Sequence, residues 1–362
     1  MSHQHVYRLT SSALLLLGLF ALLAPAHAEE AAADSSGGWS VFPAAYYTDE
    51  TKLAGGAYAI FDFGDLGSGL SSTVALNLIY TQKNQILAGA FTDVSWSRYR
   101  FLGLAFGKKF PNTFYGIGNE TLEADAEDYT DRSLSILAIP QRKVRPNLYV
   151  GPVIWFEAHS LTDLEANGRI ATGNLPGTAE GYQVLGLGGM MTWDTRDHNT
   201  YPTRGSYYEL WAAGYNKSVG SDYGFTALEV DLRQYIPLSD NRTVAVQALL
   251  NSVSKHAPIL SYPTLGDNNL RGFASRYTDR ALFVLHAGYR HRFQNRWGLA
   301  LFAGVGDVAP TVSDLSPNNL KFGAGIEVRF MLIPDARLNL RFDLGFGSGG
   351  NASSEFIPGE AF

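Results

Sequence analysis

The sequence predicts an all-β protein, a transmembrane antiparallel β-barrel of about sixteen strands. Three observations predict it. Apolar and polar residues alternate along the mature chain, which places one residue set on each face of a strand. The alternating segments are about ten residues or longer, the length of a tilted membrane strand. Short connections alternate with long ones, as the two ends of an outer-membrane barrel require.

Residues 1–28 have the pattern of a secretory signal peptide. Arg8 gives a weakly positive start, residues 13–23 are almost wholly apolar, and residues 26–28 (Ala-His-Ala) form a small-x-small cleavage pattern. We expect cleavage after Ala28. A membrane anchor is the alternative, but the apolar run is too short and wrongly flanked for a stop-transfer helix.

The composition of the remaining chain excludes several classes of protein. Aromatic residues make up 13%, charged residues only 17%, and glycine occurs 38 times, which is unusual for a secreted soluble protein. No cysteine is present, so disulfides and thiolate metal sites are excluded. The net charge of −6 without a basic block argues against nucleic acid as a partner. We expect a short polar leader at residues 29–38 and one barrel domain at residues 39–362.

Three segments show the alternation most clearly, namely residues 223–238, 320–332 and 336–347. In the last of these, leucine and phenylalanine at every second position oppose Arg341 and Asp343. In a barrel the apolar faces would contact outer-membrane lipid, either lipopolysaccharide or phospholipid. The polar faces would line the lumen with charges of both signs, which suits a plugged or cross-braced interior better than a selective pore.

Connection lengths predict the orientation of the strands. Residues 236–241, 293–296 and 333–335 form tight links, whereas longer links cover residues 265–273, 308–319 and 348–354. Because outer-membrane barrels have short periplasmic turns and long outer loops, the tight links are assigned to the periplasmic side. If the first strand runs outward, Phe362 falls at the periplasmic rim.

Residues 265–273 (LGDNNLRGF) combine turn-forming residues with one fixed charge, Arg271. One interpretation is an ordinary solvated hairpin loop. The other is a loop tucked into the fold, where the guanidinium of Arg271 would need carboxylate or carbonyl partners.

Four short motifs carry a resemblance to a known family. They are residues 193–197 (WDTRD), 201–208 (YPTRGSYY), 270–273 (LRGF) and 359–362 (GEAF). In this order they resemble the bacterial surface antigen family, the superfamily of BamA/TamA-type outer-membrane assembly and secretion barrels. The resemblance covers about the last half of the chain.

The resemblance implies a sixteen-stranded barrel whose first and last strands pair weakly and leave a lateral seam. It also implies an inward-folded extracellular lid loop. The residues it assigns are the lid loop Leu270, Arg271, Gly272 and Phe273; the central turn Asp194, Arg196, Asp197, Pro202, Arg204 and Gly205; and Phe362 as the C-terminal signal. We expect Asp194, Arg196 and Arg204 to brace the central turn through ion pairs.

Two departures from the family pattern affect these expectations. Family members usually carry polypeptide-transport-associated (POTRA) domains before the barrel, and here about ten residues separate the expected cleavage site from Trp39, so we expect no periplasmic domain. Gly288 and Gly304 stand where the family has acidic partners for the lid arginine. The remaining candidate partners of Arg271 are Glu229, Glu327 and Asp343, or else the loop is held differently.

The favoured function is insertion or translocation of polypeptides at the bacterial outer membrane, with client polypeptides or a periplasmic protein as partners. The alternative is a passive channel or structural barrel. A hydrolase with His198 near Asp194 and Asp197 is a third hypothesis, but no nucleophile motif accompanies it, so we do not expect an enzyme. No cofactor or metal site is expected: His286 and His291 fall on opposite faces of one strand.

Overall fold

The computed structural model describes residues 38–48, 52–68, 72–173, 175–178, 181–198, 201–266, 269–273, 276–333, 337–358, 360 and 362. The expected signal peptide, most of the leader, Asp267 and Asn268 lie outside the described residues. The first strand of the sheet begins at Gly38.

Sixteen strands form one antiparallel sheet in which each strand pairs with its neighbours in the chain. This confirms the predicted all-β architecture and strand number. The strands of the sheet are β1 Gly38–Thr48, β2 Lys52–Gly64, β3 Ser72–Thr81, β4 Ile86–Trp96, β5 Tyr99–Phe114, β6 Glu127–Arg145, β7 Leu148–Thr162, β8 Tyr182–Asp194, β9 Gly205–Tyr215, β10 Phe225–Ser239, β11 Arg242–Val253, β14 Ala281–Arg292, β15 Trp297–Ala309, β16 Lys321–Ile333, β17 Leu338–Gly347 and β18 Ala352–Pro358.

The remaining elements are small and lie in connections. A two-stranded hairpin, β12 Thr264–Leu265 and β13 Tyr277–Thr278, occupies the long loop between β11 and β14. Short 3₁₀ turns cover Glu123–Asp125, Lys217–Val219, Ile259–Ser261, Val312–Asp314, Pro317–Asn319 and Ser348–Gly350. Within the described residues, no helix has the length and apolar character needed to cross a membrane.

The faces of the strands are the reverse of those in a soluble sheet protein. On β10, Leu228 and Leu232 are 36% and 42% exposed, whereas Glu229 and Asp231 are 2% and 3% exposed. The same inversion occurs on β16, where Ile326 is exposed and Glu327 is fully buried. Charged side chains therefore face the interior and apolar side chains face outward, as in a barrel that contacts hydrocarbon.

The connections follow the predicted alternation. Residues 240–241, 293–296 and 334–337 join strands at one end, and the longer segments 254–280 and 310–320 join strands at the other end. The last connection, residues 348–351, is shorter than predicted because residues 352–354 already pair with β17.

The interior differs from the expected polar lumen over its N-terminal half. A large apolar cluster fills it, contributed mainly by β2 to β9, with Tyr58, Phe91, Phe106, Trp155 and Trp211 among its members. The charged interior is confined mostly to β9, β10 and the strands from β14 onward. The sequence did not predict this because many of the earlier strands are apolar on both faces, so the period-two pattern does not show which face lies inside or that the inner face is apolar.

Loops cover the end of the barrel where the long connections lie. Phe114, Ile170 and Ile259 form a buried cluster there, and Arg169 pairs with Glu127 at 2.6 Å. Loop residues thus roof the interior on this side.

The two edges of the sheet, β1 and β18, lie beside each other. Strand β1 pairs with β2 and strand β18 pairs with β17, and within the described residues no register joins β1 to β18. This is the place at which the resemblance implies a seam.

Candidate functional site

The loop that carries Arg271 projects inward from the β12–β13 hairpin. Strand pairing of Leu265 with Tyr277 narrows the neck of the loop. Beyond the neck, Leu270 and Phe273 are fully buried. Gly272 has a φ of +97°, a left-handed conformation that favours glycine over other residues. The loop is therefore part of the barrel interior, which excludes the solvated-loop interpretation.

Arg271 lies between two carboxylates and an aromatic ring. Its Nη1 donates to Oε2 of Glu327 at 2.8 Å and to Oδ2 of Asp343 at 3.1 Å. Its guanidinium carbon lies 3.5 Å from the centre of the Phe302 ring, within range of a cation–π interaction. Of the three candidate partners, Glu229 does not contact Arg271 and instead accepts a bond from Asn251 at 2.7 Å.

The position of these carboxylates explains why a cation is needed between them. Glu327 and Asp343 are direct cross-strand partners on β16 and β17. Like charges placed opposite each other destabilise an antiparallel pair, and the repulsion is stronger in a buried site. By bridging both carboxylates, Arg271 converts an unfavourable strand pair into an attractive one.

Two further arginines complete the charged cluster. Arg329 pairs with Glu327 and lies 2.9 Å from Glu360. Arg341 lies 2.9 Å from Asp343 and 3.7 Å from Glu327. With Arg290, which lies 3.4 Å from Glu360, four guanidinium groups meet three carboxylates, so each of these carboxylates contacts at least two arginines.

Glycines of the barrel wall leave room for the loop backbone. A Cβ atom at Gly323 would lie 2.1 Å from the carbonyl oxygen of Arg271, and one at Gly345 would lie 2.8 Å from the Cα of Gly272. At Gly347 the same atom would lie 2.5 Å from the Phe273 ring. These glycines form a strip on β16 and β17 against which the loop packs backbone to backbone.

Gly304 and Gly288 stand where the resemblance places acidic residues, and the surroundings of Gly304 account for glycine, whereas those of Gly288 would admit a Cβ. A Cβ at Gly304 would meet the His286 ring at 2.1 Å and Leu270 at 2.9 Å. One at Gly288 would lie 3.8 Å from the Phe362 ring. The space that a side chain would take at Gly304 is filled, and the acids that pair with Arg271 come from β16 and β17.

The loop also contacts the last strand of the sheet. The backbone N–H of Gly272 donates to Oγ of Ser353 at 3.2 Å. Ser353 belongs to β18, one of the two edge strands. The loop is thus bonded directly to one border of the seam.

The central turn, residues 195–204, is braced largely as expected. Asp194 and Arg196 form a two-point pair with N···O distances of 2.9 and 2.6 Å, and the guanidinium of Arg196 lies over Tyr207. Gly205 has a φ of +100°, and a Cβ there would lie 2.2 Å from the carbonyl oxygen of Thr195.

Asp197 is the second anchor of this turn. It accepts bonds from the hydroxyl and N–H of Thr203 and from the N–H of Arg204, and Arg337 lies 3.4 Å away. Arg204 contributes only its backbone N–H: among the described residues its guanidinium forms no ion pair, so the expected ion pair of Arg204 is wrong. Burial by itself would raise the pKa of Asp197, but the bonds from Thr203 and Arg204, together with the charge of Arg337, outweigh burial and lower this pKa below its usual value.

The nearby His198 belongs to the same turn. Its Nδ1 accepts a bond from the N–H of Tyr201 at 3.4 Å. Burial and the charge of Arg337 lower the pKa of His198. The bond from Tyr201 ties His198 to its own turn, and both oxygens of Asp197 accept bonds from Thr203 and Arg204.

Phe362 and Glu360 lie inside the barrel near the central turn. Phe362 is buried with Tyr235 and Ala245, on the lumenal side. Arg290 donates to the carbonyl oxygen of Phe362 at 2.7 Å, and its Nη1 lies 3.5 Å from the carbonyl oxygen of Pro202. Phe362 therefore lies at the end of the barrel that is predicted to be periplasmic, but its side chain is inside the barrel.

A family model for the Omp85 superfamily domain matches residues 165–354, which is 190 of the 362 residues. The chain belongs to the Omp85 superfamily. Barrels of this superfamily are transporters and insertases that act with partners and client polypeptides. Membership indicates a location in the bacterial outer membrane. No curated protein sequence matches this chain.

Solved structures of Omp85-type barrels share the fold at low sequence identity. BamA from Haemophilus ducreyi lacking POTRA domains 1–3 is 14% identical, with a TM-score of 0.59 over 90% of this chain and 69% of that chain. CdiB from Acinetobacter baumannii is 9% identical, with a TM-score of 0.58 over 90% of this chain and 60% of that chain. CdiB from Escherichia coli is 9% identical, with a TM-score of 0.57 over 91% of this chain and 63% of that chain. This chain therefore spans less than two thirds of either CdiB chain.

Sequence reasoning on this Omp85 barrel left several site residues unassigned. Phe302 beneath Arg271, Ser353 on β18 and Glu360 beside Arg329 carried no signal of their role. Arg329 and Arg341 were placed correctly on the polar face by their period-two spacing. Their pairing with Glu327 and Asp343 depends on strand register, which the sequence does not supply.

Proposed function

We propose that this protein aids the insertion or passage of polypeptides at the outer membrane, and that the Arg271 loop and the β1–β18 seam are its working parts. We further propose that it is exported, with its signal peptide cleaved after Ala28. Client polypeptides, rather than small solutes, are then its substrates.

The observation that carries the proposal is the bond from the N–H of Gly272 to Ser353 on β18. One loop thereby touches the edge strand while Arg271 is anchored to Glu327 and Asp343 on the wall. A loop placed this way holds the edge strand in position when docked and releases it when withdrawn.

Backbone chemistry supplies the reason that a weak seam serves polypeptides. Each edge strand presents N–H and C=O groups that cannot bond to lipid. An incoming strand satisfies them by adding to the edge, a recognition mode in which main-chain bonds provide affinity with little dependence on sequence. A client can then grow on the edge of the barrel while it enters the bilayer.

The apolar packing of the N-terminal half favours this function over a steady pore. Trp155 and Trp211 lie edge to face at 5.4 Å within the interior cluster, where a channel would need a continuous path for water. Single-channel recording in planar bilayers separates the two functions. Small, brief openings agree with client handling, whereas large steady openings support a passive channel.

The test uses Arg271→Ala in proteoliposomes that are given a urea-denatured eight-stranded outer-membrane protein. Folding of the client is followed by its heat-modifiable mobility on gels. We expect the variant to lose at least tenfold in the initial rate, because without two charge-assisted bonds of about 1.5–3 kcal/mol each the loop no longer holds the edge strand in the position from which a client strand is added. Arg276→Ala is the matched control: Arg276 lies in the same loop, but its Nη2 bonds the carbonyl oxygen of Thr121 and not the wall.

A cysteine scan along β1 and β18 tests the seam itself. The protein contains no native cysteine, so each disulfide that forms is assigned unambiguously. Locking the two edges together should stop client folding, and reduction should restore it. Equal client folding by Arg271→Ala, by locked barrels and by wild type would refute the proposed function.

A further inference from the structure

Residues 360 and 362 occupy a built site inside the barrel rather than a position in the sheet. Strand β18 ends at Pro358, which has no N–H to donate to a further ladder bond. Glu360 and Phe362 are then held by side-chain contacts and by the bond from Arg290 to the Phe362 carbonyl oxygen. They are bound as a short peptide would be bound.

Two arginines and one side-chain amide form the half of the site that binds the acidic side chain of Glu360. Glu360 Oε2 lies 2.9 Å from Arg329 and 3.4 Å from Arg290, and Asn339 donates to Oε1 at 3.0 Å. The side chains of Arg290 and Arg329 are 3% and 4% exposed. Buried guanidinium groups need anionic partners, and for Arg290 the only ion pair found in the described part of the chain is with Glu360.

The aromatic half lies directly beside it. The ring of Phe362 stacks on His286 with a centroid distance of 5.6 Å and packs with Tyr235 and Ala245. The guanidinium of Arg290 lies 5.5 Å from the Phe362 ring and 5.6 Å from the Tyr235 ring. A flat apolar slot between Tyr235 and His286 therefore accepts an aromatic side chain.

The site lies next to the periplasmic mouth. A cleft of about 500 Å³ opens there, lined in part by Tyr201, Arg204, Arg292 and Arg337. The ring of Tyr201 is buried and lies 5.8 Å from the guanidinium of Arg329. Tyr201 therefore lines the cleft and also lies close to Arg329, one of the groups that bind Glu360.

We propose that this pocket, formed by Arg290, Arg329, Asn339, Tyr235 and His286, is a binding site for polypeptide segments of the form acidic residue–any residue–aromatic residue. Glu360 and Phe362 are its occupant in cis. A client that carries the same pair of side chains competes with them, and its binding releases the segment that follows β18.

This inference rests on the proposed function only in naming a client polypeptide as the ligand. Peptide binding to the pocket does not require insertion activity, so an experiment can refute the peptide site without refuting the proposed function, and the reverse. The tethered segment competes at an effective concentration on the order of millimolar, the usual value for a short flexible link. A peptide that binds the vacated pocket with a Kd of about 10 μM must therefore bind the wild type about 100-fold more weakly.

The test uses the full barrel in detergent micelles and a fluorescein-labelled peptide with the sequence of residues 356–362 (FIPGEAF). Anisotropy measures binding to wild type, to the double variant Glu360→Gln/Phe362→Ala, and to that variant with Arg290→Gln added. The double variant should bind about 100-fold more tightly than wild type, and Arg290→Gln should abolish the gain. A control peptide, FIPGQAA, should not bind.

Arg233→Gln in the same double variant is the matched control, because Arg233 is a partly buried lumenal arginine paired with Asp231 instead. It should leave peptide binding unchanged. Equal binding to wild type and the double variant, or binding that survives Arg290→Gln, would overturn the proposal. Client folding measured in parallel shows whether the proposed function stands when the peptide site does not.

Photo-crosslinking of wild type keeps the proposal testable if the double variant does not fold. A peptide with benzoylphenylalanine in place of the last phenylalanine is supplied at millimolar concentration and irradiated. Adducts should map to Tyr235 on β10 or to His286 on β14. Adducts confined to the outer surface or to the extracellular loops would refute the pocket.

Discussion

Replacing Gly323 with alanine should drive the Arg271 loop away from the barrel wall. The added Cβ would lie 2.1 Å from the carbonyl oxygen of Arg271, and such contacts are essentially never closer than 3.0 Å. Both atoms belong to the backbone, and Gly323 is fixed in β16, so the loop must withdraw by the difference, 0.9 Å, or more. Alanine is sufficient for this clash, and no larger residue is needed.

The magnitude follows from the ion pair that the withdrawal breaks. A shift of 0.9 Å along its direction takes the bond from Arg271 to Glu327 from 2.8 Å to about 3.7 Å, beyond hydrogen-bonding range. The bond to Asp343, already 3.1 Å, is lost with it. Two bonds of about 1.5–3 kcal/mol each amount to about 3–6 kcal/mol, which changes the docked-to-undocked ratio by about two to four orders of magnitude.

Limited trypsin digestion measures this ratio, because the enzyme cuts after Arg271 only when the loop has left the interior. Where opening and closing are fast, the cleavage rate follows the population of the open form. We expect cleavage after Arg271 to rise at least tenfold in Gly323→Ala, as quantified by mass spectrometry. Gly214→Ala, where a Cβ meets nothing within 4 Å, is the matched control and should behave as wild type.

An unchanged cleavage rate in Gly323→Ala, with the barrel still folded by its heat-modifiable mobility, would refute the docked position of the loop. Global unfolding is distinguished from undocking because it would expose sites throughout the chain, whereas undocking exposes this loop alone.

Three further predictions follow from the charge layout. Glu327→Gln should lower the unfolding temperature in detergent more than Asp343→Asn, because Glu327 meets three arginines and a broken buried pair costs about 3–5 kcal/mol. The folded-state pKa of Asp197 is lowered, so the stability that Asp197 contributes is present above its unfolded pKa near 3.8 and is lost as the pH falls through the folded-state pKa. Asp197→Asn should therefore remove this part of the acid dependence of thermal unfolding. Leu301→Arg, which places a charge on the outer face of β15, should cost about 2–4 kcal/mol in equilibrium folding measured in bilayers.

The sequence predicted the fold well wherever one face of a strand was charged. On β10, β16 and β17 the period-two pattern placed Glu229, Glu327 and Asp343 on the inner face, and the structure agrees. On β3 to β5 the inner residues Ile79, Phe91 and others are as apolar as the outer ones, so the sequence did not reveal a hydrophobic interior.

The sequence reduced the possible partners of Arg271 to three acidic residues but could not identify which of them pair with it. Glu229, Glu327 and Asp343 all face inward, and period-two spacing cannot rank them. The choice depends on which part of the wall the loop meets, and glycines at 323 and 345 decide this by leaving backbone exposed on β16 and β17. The inward turn of Phe362 was also invisible, because alternation stops where β18 ends at Pro358.

The contacts of the docked loop and of Glu360 are almost all made within the last third of the chain. Arg271 meets residues 302, 327, 343 and, through Gly272, 353, while Glu360 meets residues 290, 329 and 339. Each strand pairing in this third closes a connection no longer than residues 254–280 and costs little loop entropy, whereas the contacts of the docked loop span up to 81 residues. A contiguous segment that makes most of its contacts within itself opens and closes as a cooperative unit. The carboxyl-terminal third can therefore acquire its structure early, before the apolar strands of the first half close around it.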